Sequence, residues 1–211
     1  MTNASWIDFW ASAAILLPAF MISVSFHECS HALAAYLLGD PTAKQSGRLT
    51  LNPLAHLDFL GMLFLILFRF GWANPVPMDQ RNFKYPRIYS ILTALAGPSS
   101  NFILAYASLM LIHHFPSNLV YPAITQTVIQ LLTATAYINI MLGAFNILPI
   151  PPLDGSHILI ALIAKPFPRL VLWIYRYSLF FLLLLFMLPP TRLALMQLIS
   201  YVEHIIQSLV F

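Results

Sequence analysis

The feature that most constrains this chain is a long apolar run that carries polar chemistry at its inner end. Residues 9–26 are almost uninterruptedly apolar, and they lead without a break into His27-Glu28-Cys29-Ser30-His31. No Lys or Arg occurs before Lys44. Without a basic leader, such a run is expected to be a retained membrane helix and not a cleaved signal segment. Two imidazoles and a carboxylate inside a bilayer span are costly, so they call for partners or a function.

The rest of the chain has the same character. Of its 211 residues, 60% are hydrophobic and 8% charged, where soluble domains carry about 25%. Apolar segments fall at residues 7–38, 57–70, 88–113, 123–147, 170–188 and 193–211. A span takes about 20 residues, which four of these meet and 57–70 does not. The last, beside Arg192 and holding Glu203 and His204, reads as either a tilted span or an interfacial helix. The expected fold is an all-α polytopic membrane protein of about four to six membrane helices with short re-entrant or extended segments. One integral-membrane domain over residues 1–211 is expected, with the lipid bilayer as its surroundings.

Charge excludes another class. The net charge is only +3 and the basic residues form no stripe, so they read as topology-setting charges and not as a nucleic-acid surface. The single cysteine, Cys29, rules out an internal disulfide framework and reads as a small apolar filler.

Three connections are unusual. Gly47-Arg-Leu-Thr-Leu-Asn-Pro53 alternates and ends in a breaker, and Ala73-Asn-Pro-Val-Pro-Met78 forbids helix, so both are expected to be short extended strands. Residues 146–152 hold three prolines, which must break the fourth long helix. Freed backbone at membrane depth is tolerated only beside protein or a water-filled cavity. That break therefore marks an interior site.

Topology follows from charge. Lys44 and Arg48 follow the first helix, and Arg81, Lys84 and Arg87 follow the short segment, so both connections are expected inside. Residues 57–70 rise only about 21 Å as a helix against a core of about 30 Å, which predicts a re-entrant excursion.

His27-Glu-Cys-Ser-His31 is an H-E-x-x-H pattern. Residues four apart share a helix face, so both imidazoles can reach one Zn²⁺, with Glu28 placed to take a proton from metal-activated water. A protease zinc needs a third protein ligand. Of the seven acidic residues, Asp8 and Glu203 lie near the ends, Asp40 and Asp79 in polar connections, and Asp58 at the start of the short segment. Asp154 follows the proline break and is the natural third ligand.

These residues make the chain resemble the site-2 protease family of intramembrane zinc metalloproteases. The resemblance rests on H-E-x-x-H at His27–His31 and on Asn146-Ile-Leu-Pro-Ile-Pro-Pro-Leu-Asp-Gly155. It extends to Gly47-Arg-Leu-Thr-Leu-Asn-Pro-Leu-Ala-His56, Gly71-Trp-Ala-Asn-Pro-Val-Pro77 and Ala96-Gly-Pro-Ser-Ser-Asn101. It implies an endopeptidase that cuts transmembrane segments of single-span membrane proteins. It further implies one zinc per chain on His27, His31 and Asp154, with Glu28 as general base, and Asn146 with its neighbouring prolines holding the substrate strand. The chain resembles the compact form, without PDZ or CBS modules. Asn74 and His56 are weaker candidates for substrate contact, set against a turn cap and an ordinary interfacial histidine. His157 reads as a polar neighbour of Asp154, His113 and His114 as interfacial, and Gly97, Ser99 and Ser100 as packing residues. A zinc-binding but inactive homologue and an ion transporter are the alternatives, and an intact Glu28 argues against both. With no targeting signal, the expected location is a bacterial or archaeal plasma membrane.

Overall fold

A computed structural model describes residues 3–68, 71–115 and 121–211. The helices are α1 (Asn3–Leu37), α2 (Thr42–Gln45), α3 (Phe59–Phe68), α4 (Pro86–His113), α5 (Pro122–Asn146), α6 (Ser156–Ile163), α7 (Pro168–Arg176), α8 (Ser178–Met187) and α9 (Pro189–Ser208). Proline opens α4, α5, α7 and α9, where its missing N–H would have no partner in the helix. Pro18 and Pro98 lie inside α1 and α4, as packed membrane helices tolerate.

Among the described residues, three helices are long and apolar enough to cross a membrane: Ala11–Leu37 of α1, α4 and α5. Helices α7 and α8, bent by 58° at their junction, make a fourth if they act as one broken span. The protein is thus an all-α polytopic membrane protein, at the low end of the helix number expected.

Named contacts fix the directions of the spans. His27 of α1 meets Asn101 of α4, and His31 meets the carbonyl of Thr93, so numbers rise on one helix as they fall on the other. Helices α1 and α4 are antiparallel. Ser23 of α1 meets Asn139 of α5, while His27 and His31 further along meet Asp154 beyond the end of α5. Helices α1 and α5 therefore run the same way. Ile206 of α9 packs with Ala105 and Ile140, and the Phe211 ring lies 5.1 Å from His113. Helix α9 thus runs parallel to α4.

Because α1 and α4 are antiparallel, the end of one and the start of the other lie on the same side, and α3 makes no net crossing. The chain ties this side together directly: Asp40, just past α1, accepts hydrogen bonds from the Asp79 N–H and the Asn82 amide just before α4. The base of the α3 excursion is closed by a bridge between Leu57 and Ala73 and by the Asn74 N–H donating to the His56 carbonyl at 2.7 Å. The re-entrant reading of residues 57–70 agrees with this; residues 69–70 fall outside the described part.

The two expected strands do not pair with each other. Among the described residues there is no strand, only that single bridge. Residues 53–55 wind into a 3₁₀ turn capped by the Asn52 side chain, and the Arg48 guanidinium bonds the Ala55 and Asn74 carbonyls. Pro75 and Pro77 lack the N–H groups a ladder needs, so beyond the Ala73 bridge and the Asn74 hydrogen bond the segment to Met78 forms no strand.

Candidate metal centre

Helix α4 is the template on which both imidazoles of α1 are set. The His31 Nδ1–H donates to the Thr93 carbonyl at 2.7 Å, and the His27 Nδ1–H donates to Asn101 Oδ1 at 2.6 Å. Between these anchors lies Gly97, where an added Cβ would stand 2.3 Å from His31 Nε2 and 2.6 Å from His27 Cε1. Only a residue without a side chain lets the rings lie against α4. Both histidines and Glu28 are buried.

The hydrogen bonds at Nδ1 determine what Nε2 can be. A carbonyl only accepts, so His31 carries its proton on Nδ1, and His27 does the same toward Asn101. In each neutral ring Nε2 is then a bare lone pair. The two Nε2 atoms are 3.0 Å apart, a contact that lone pairs alone make repulsive. Asp154 Oδ2 lies 3.1 Å from His27 Nε2 and 3.3 Å from His31 Nε2, and it is a buried oxygen with no hydrogen-bond donor. With both rings neutral, three acceptor atoms converge on one point. Ligands of a tetrahedral zinc stand about 3.3 Å apart at its usual bond lengths, so the set fits such an ion. His27, His31 and Asp154 are the one cluster of this kind among the described residues.

Asp154 reaches the imidazoles because α5 stops at Asn146. The chain then turns through Pro149, Pro151 and Pro152, and the Gly155 N–H donates back to the Asn146 carbonyl at 2.7 Å. A Cβ at Gly155 would come within 2.0 Å of the Ile147 carbonyl oxygen, so this closure needs glycine. His157 follows by a backbone turn onto the Asp154 carbonyl and is only half-buried.

Glu28 is held by a different part of the chain. Its Oε2 accepts the Val76 N–H at 3.1 Å, and Val76 packs on Ala32 and Ala43. Glu28 is therefore tied to the proline-flanked segment that sequence reading took for a strand.

The weaker candidates fall in different places. Asn146 is half-buried beside the proline loop, and its side chain has no hydrogen-bond partner among the described residues. Asn74 is exposed, its backbone held by His56 and Arg48. His56 is fully enclosed, with Nε2–H donating to the Thr50 carbonyl at 2.8 Å, while Asp58 caps α3 through the Gly61 N–H. His56 braces the loop from behind; it does not join the metal cluster. Sequence reading missed Val76, Thr93 and Asn139. An asparagine in mid-span was the available signal for Asn139, whereas the backbone groups of Val76 and Thr93 leave no trace in a sequence.

The profile of Peptidase family M50 matches residues 116–186. "Putative zinc metalloprotease YwhC" of Bacillus subtilis is 42% identical over 147 residues, covering 68% of this chain and 67% of that protein. "Putative zinc metalloprotease Rip2" of Mycolicibacterium smegmatis is 29% identical over 148 residues, 67% of this chain and 54% of that protein. "Zinc metalloprotease MJ0392" of Methanocaldococcus jannaschii is 29% identical over 160 residues, 75% of this chain and 36% of that protein. No solved structure gives a significant match. Similarity of this extent to zinc metalloproteases, with two histidines and an aspartate grouped so that they could hold a metal ion, identifies the chain as a metalloprotease belonging to Peptidase family M50, the site-2 proteases.

Proposed function

We propose that this protein is an intramembrane endopeptidase that cuts transmembrane segments of single-span membrane proteins. The observation that carries the reading is the convergence of two bare imidazole nitrogens and an unpartnered carboxylate oxygen beside Glu28, between helices that span the bilayer. His27, His31 and Asp154 are assigned as ligands of one zinc per chain, and residues 1–211 as one working domain.

Zinc held there supplies Lewis acidity, polarising a peptide carbonyl and making water acidic enough to react near neutral pH. Glu28 takes the proton of the attacking water and passes it to the leaving nitrogen. His31 lies about 9 Å along α1 from Leu37, so the chemistry sits below the membrane surface and not at it. A helical substrate keeps its carbonyls bonded and must be unwound first. The proline-flanked segment from Ala73 to Met78 has its Asn74 and Val76 N–H groups committed, so what it offers an unwound chain is backbone carbonyls, with the exposed Asn74 side chain and the unengaged amide of Asn146 as polar contacts and His56 as the brace beneath.

Charge places the α1–α4 connection in the cytoplasm, and relatives from Bacillus and Methanocaldococcus support a bacterial or archaeal plasma membrane. The test is cleavage of a panel of single-span membrane proteins, reconstituted in vesicles, by wild type and Glu28→Gln. Cuts inside the spans by wild type alone are expected. Cleavage confined to soluble segments would overturn the reading.

A further inference from the structure

His27 is the end of a buried hydrogen-bond chain that crosses three helices. Ser23 Oγ–H donates to the Ala19 carbonyl at 2.7 Å. Asn139 Nδ2 donates to Ser23 Oγ at 2.7 Å and to the Thr135 carbonyl at 2.8 Å. Asn101 Nδ2 donates to Asn139 Oδ1 at 2.6 Å and approaches the Ser23 carbonyl at 3.4 Å. Asn101 Oδ1 then faces His27 Nδ1 at 2.6 Å. Ser23, Asn101 and Asn139 are each 0% exposed, so no water can substitute for a lost partner.

The direction of this chain is not free. The carbonyls of Ala19 and Thr135 can only accept. The Ser23 hydroxyl spends its one proton on Ala19 and must accept from Asn139, so both N–H bonds of Asn139 are committed. Its Oδ1 is left facing Asn101, which must present N–H there and its own oxygen to His27. Turning either amide over would set oxygen against oxygen, a buried mismatch costing several times an ordinary hydrogen bond's net worth.

We propose that Asn139, acting through Asn101, is a positioning residue for the metal centre: it holds His27 in the Nδ1–H tautomer and so keeps Nε2 bare. The carbonyls of Ala19 and Thr135 are the fixed ends from which that polarity propagates. Asn139 lies on α5, which also leads to Asp154, so one helix sets the orientation of one ligand and delivers another. The inference rests on the reading of His27 as a ligand.

The experiment measures zinc affinity by chelator competition, and the His27 tautomer by ¹⁵N NMR of zinc-free protein in detergent, assigned by its absence in His27→Gln. Asn139→Leu is expected to weaken zinc binding about 10- to 100-fold and to replace the single Nδ1–H signal by a tautomer mixture. Adding Asn101→Asp to Asn139→Leu should restore both readouts, because a carboxylate has only acceptors to offer His27. Wild-type zinc affinity in Asn139→Leu, or no recovery in the double variant, overturns the proposal. Should Asn139→Leu fail to fold, Ser23→Ala breaks one link only and should weaken zinc in the same direction, and unchanged affinity there overturns the proposal as well. His27→Ala separates the two levels: zinc retained in it defeats the metal-site assignment itself. Zinc lost in His27→Ala but kept in Asn139→Leu defeats only the role of Asn139.

Discussion

The backbone N–H of Val76 donates to Oε2 of Glu28 at 3.1 Å. Pro75 and Pro77 flank Val76 and have no N–H, so the run holds one donor and directs it to the carboxylate. Hydrogen bonds to charged groups contribute about 1.5–3 kcal/mol, which converts to about a tenfold to hundredfold change in rate. Val76→Pro should lower kcat by that factor with zinc content unchanged. Val76→Ala keeps the donor and should stay near wild type. Equal activity in the two variants would remove Val76 from the account of Glu28.

Glu28→Gln should abolish cleavage and still bind zinc, because glutamine keeps the shape but accepts no proton. His27→Ala, His31→Ala and Asp154→Ala should each lose zinc along with activity. Metal content by atomic absorption alongside turnover distinguishes the two classes. Turnover surviving in Glu28→Gln would show that another group takes the proton.

Gly97→Ala places a methyl group where the two imidazoles lie, 2.3 Å from His31 Nε2. Since α4 is held by its packing against α1 and α5, the rings must move, and zinc binding should be lost. Ser99→Ala, an exposed site on the same helix, serves as the control and should leave zinc content intact. Full zinc occupancy in Gly97→Ala would mean that α4 yields more easily than its packing indicates.

Single cysteines at Gln45 and Gln80 in a Cys29→Ser background should react with an impermeant reagent from the same face of the membrane. A cysteine at His114 should react only from the other. Labelling of positions 45 and 80 from opposite faces would contradict the antiparallel arrangement of α1 and α4.

Asp40 gives the α1–α4 connection an acid sensitivity. Burial alone would raise its carboxyl pKa, but the Thr42 hydroxyl, the Asn82 amide and the N–H groups of Asp79 and Thr42 together hold it below the usual value. A carboxyl lowered in the folded state stabilises fully above its unfolded pKa, and the contribution fades as pH falls through the folded value. Melting temperature should therefore drop below about pH 4, and Asp40→Asn should show a flatter acid limb. An identical acid limb in the variant would assign that sensitivity to other carboxylates.

Much of the candidate centre was legible in the sequence because its proposed ligands are side chains at diagnostic spacing. His27 and His31 stand one helical turn apart, and Asp154 follows a proline cluster that no helix survives. The length and flanking charges of residues 57–70 predict a segment that does not cross, in keeping with antiparallel α1 and α4. What escaped was carried by groups that every residue shares. The Thr93 carbonyl and the Val76 N–H are invisible to pattern, since any side chain at those positions would bring the same backbone atoms. The strand expectation failed for a related reason. Alternation and prolines report an extended backbone, but pairing needs a partner edge; residues 47–53 find none and lead into the capped turn at 53–55, and the one bridge among the described residues joins Leu57 to Ala73. Asn101 and Asn139 were visible as letters, but only the crossing of α1, α4 and α5 shows that they touch.

The proposed ligand set is divided between the first span and the loop that follows α5. During synthesis the ribosome makes His27 and His31 long before Asp154, and the nascent α1 must enter the membrane with two bare imidazole nitrogens and no carboxylate to join them. On the proposed assignment the metal site stays incomplete until the apolar segment of residues 123–147 has inserted and the proline loop has closed. On that assignment, a chain that ends before Asp154 carries the H-E-x-x-H sequence without the third proposed ligand.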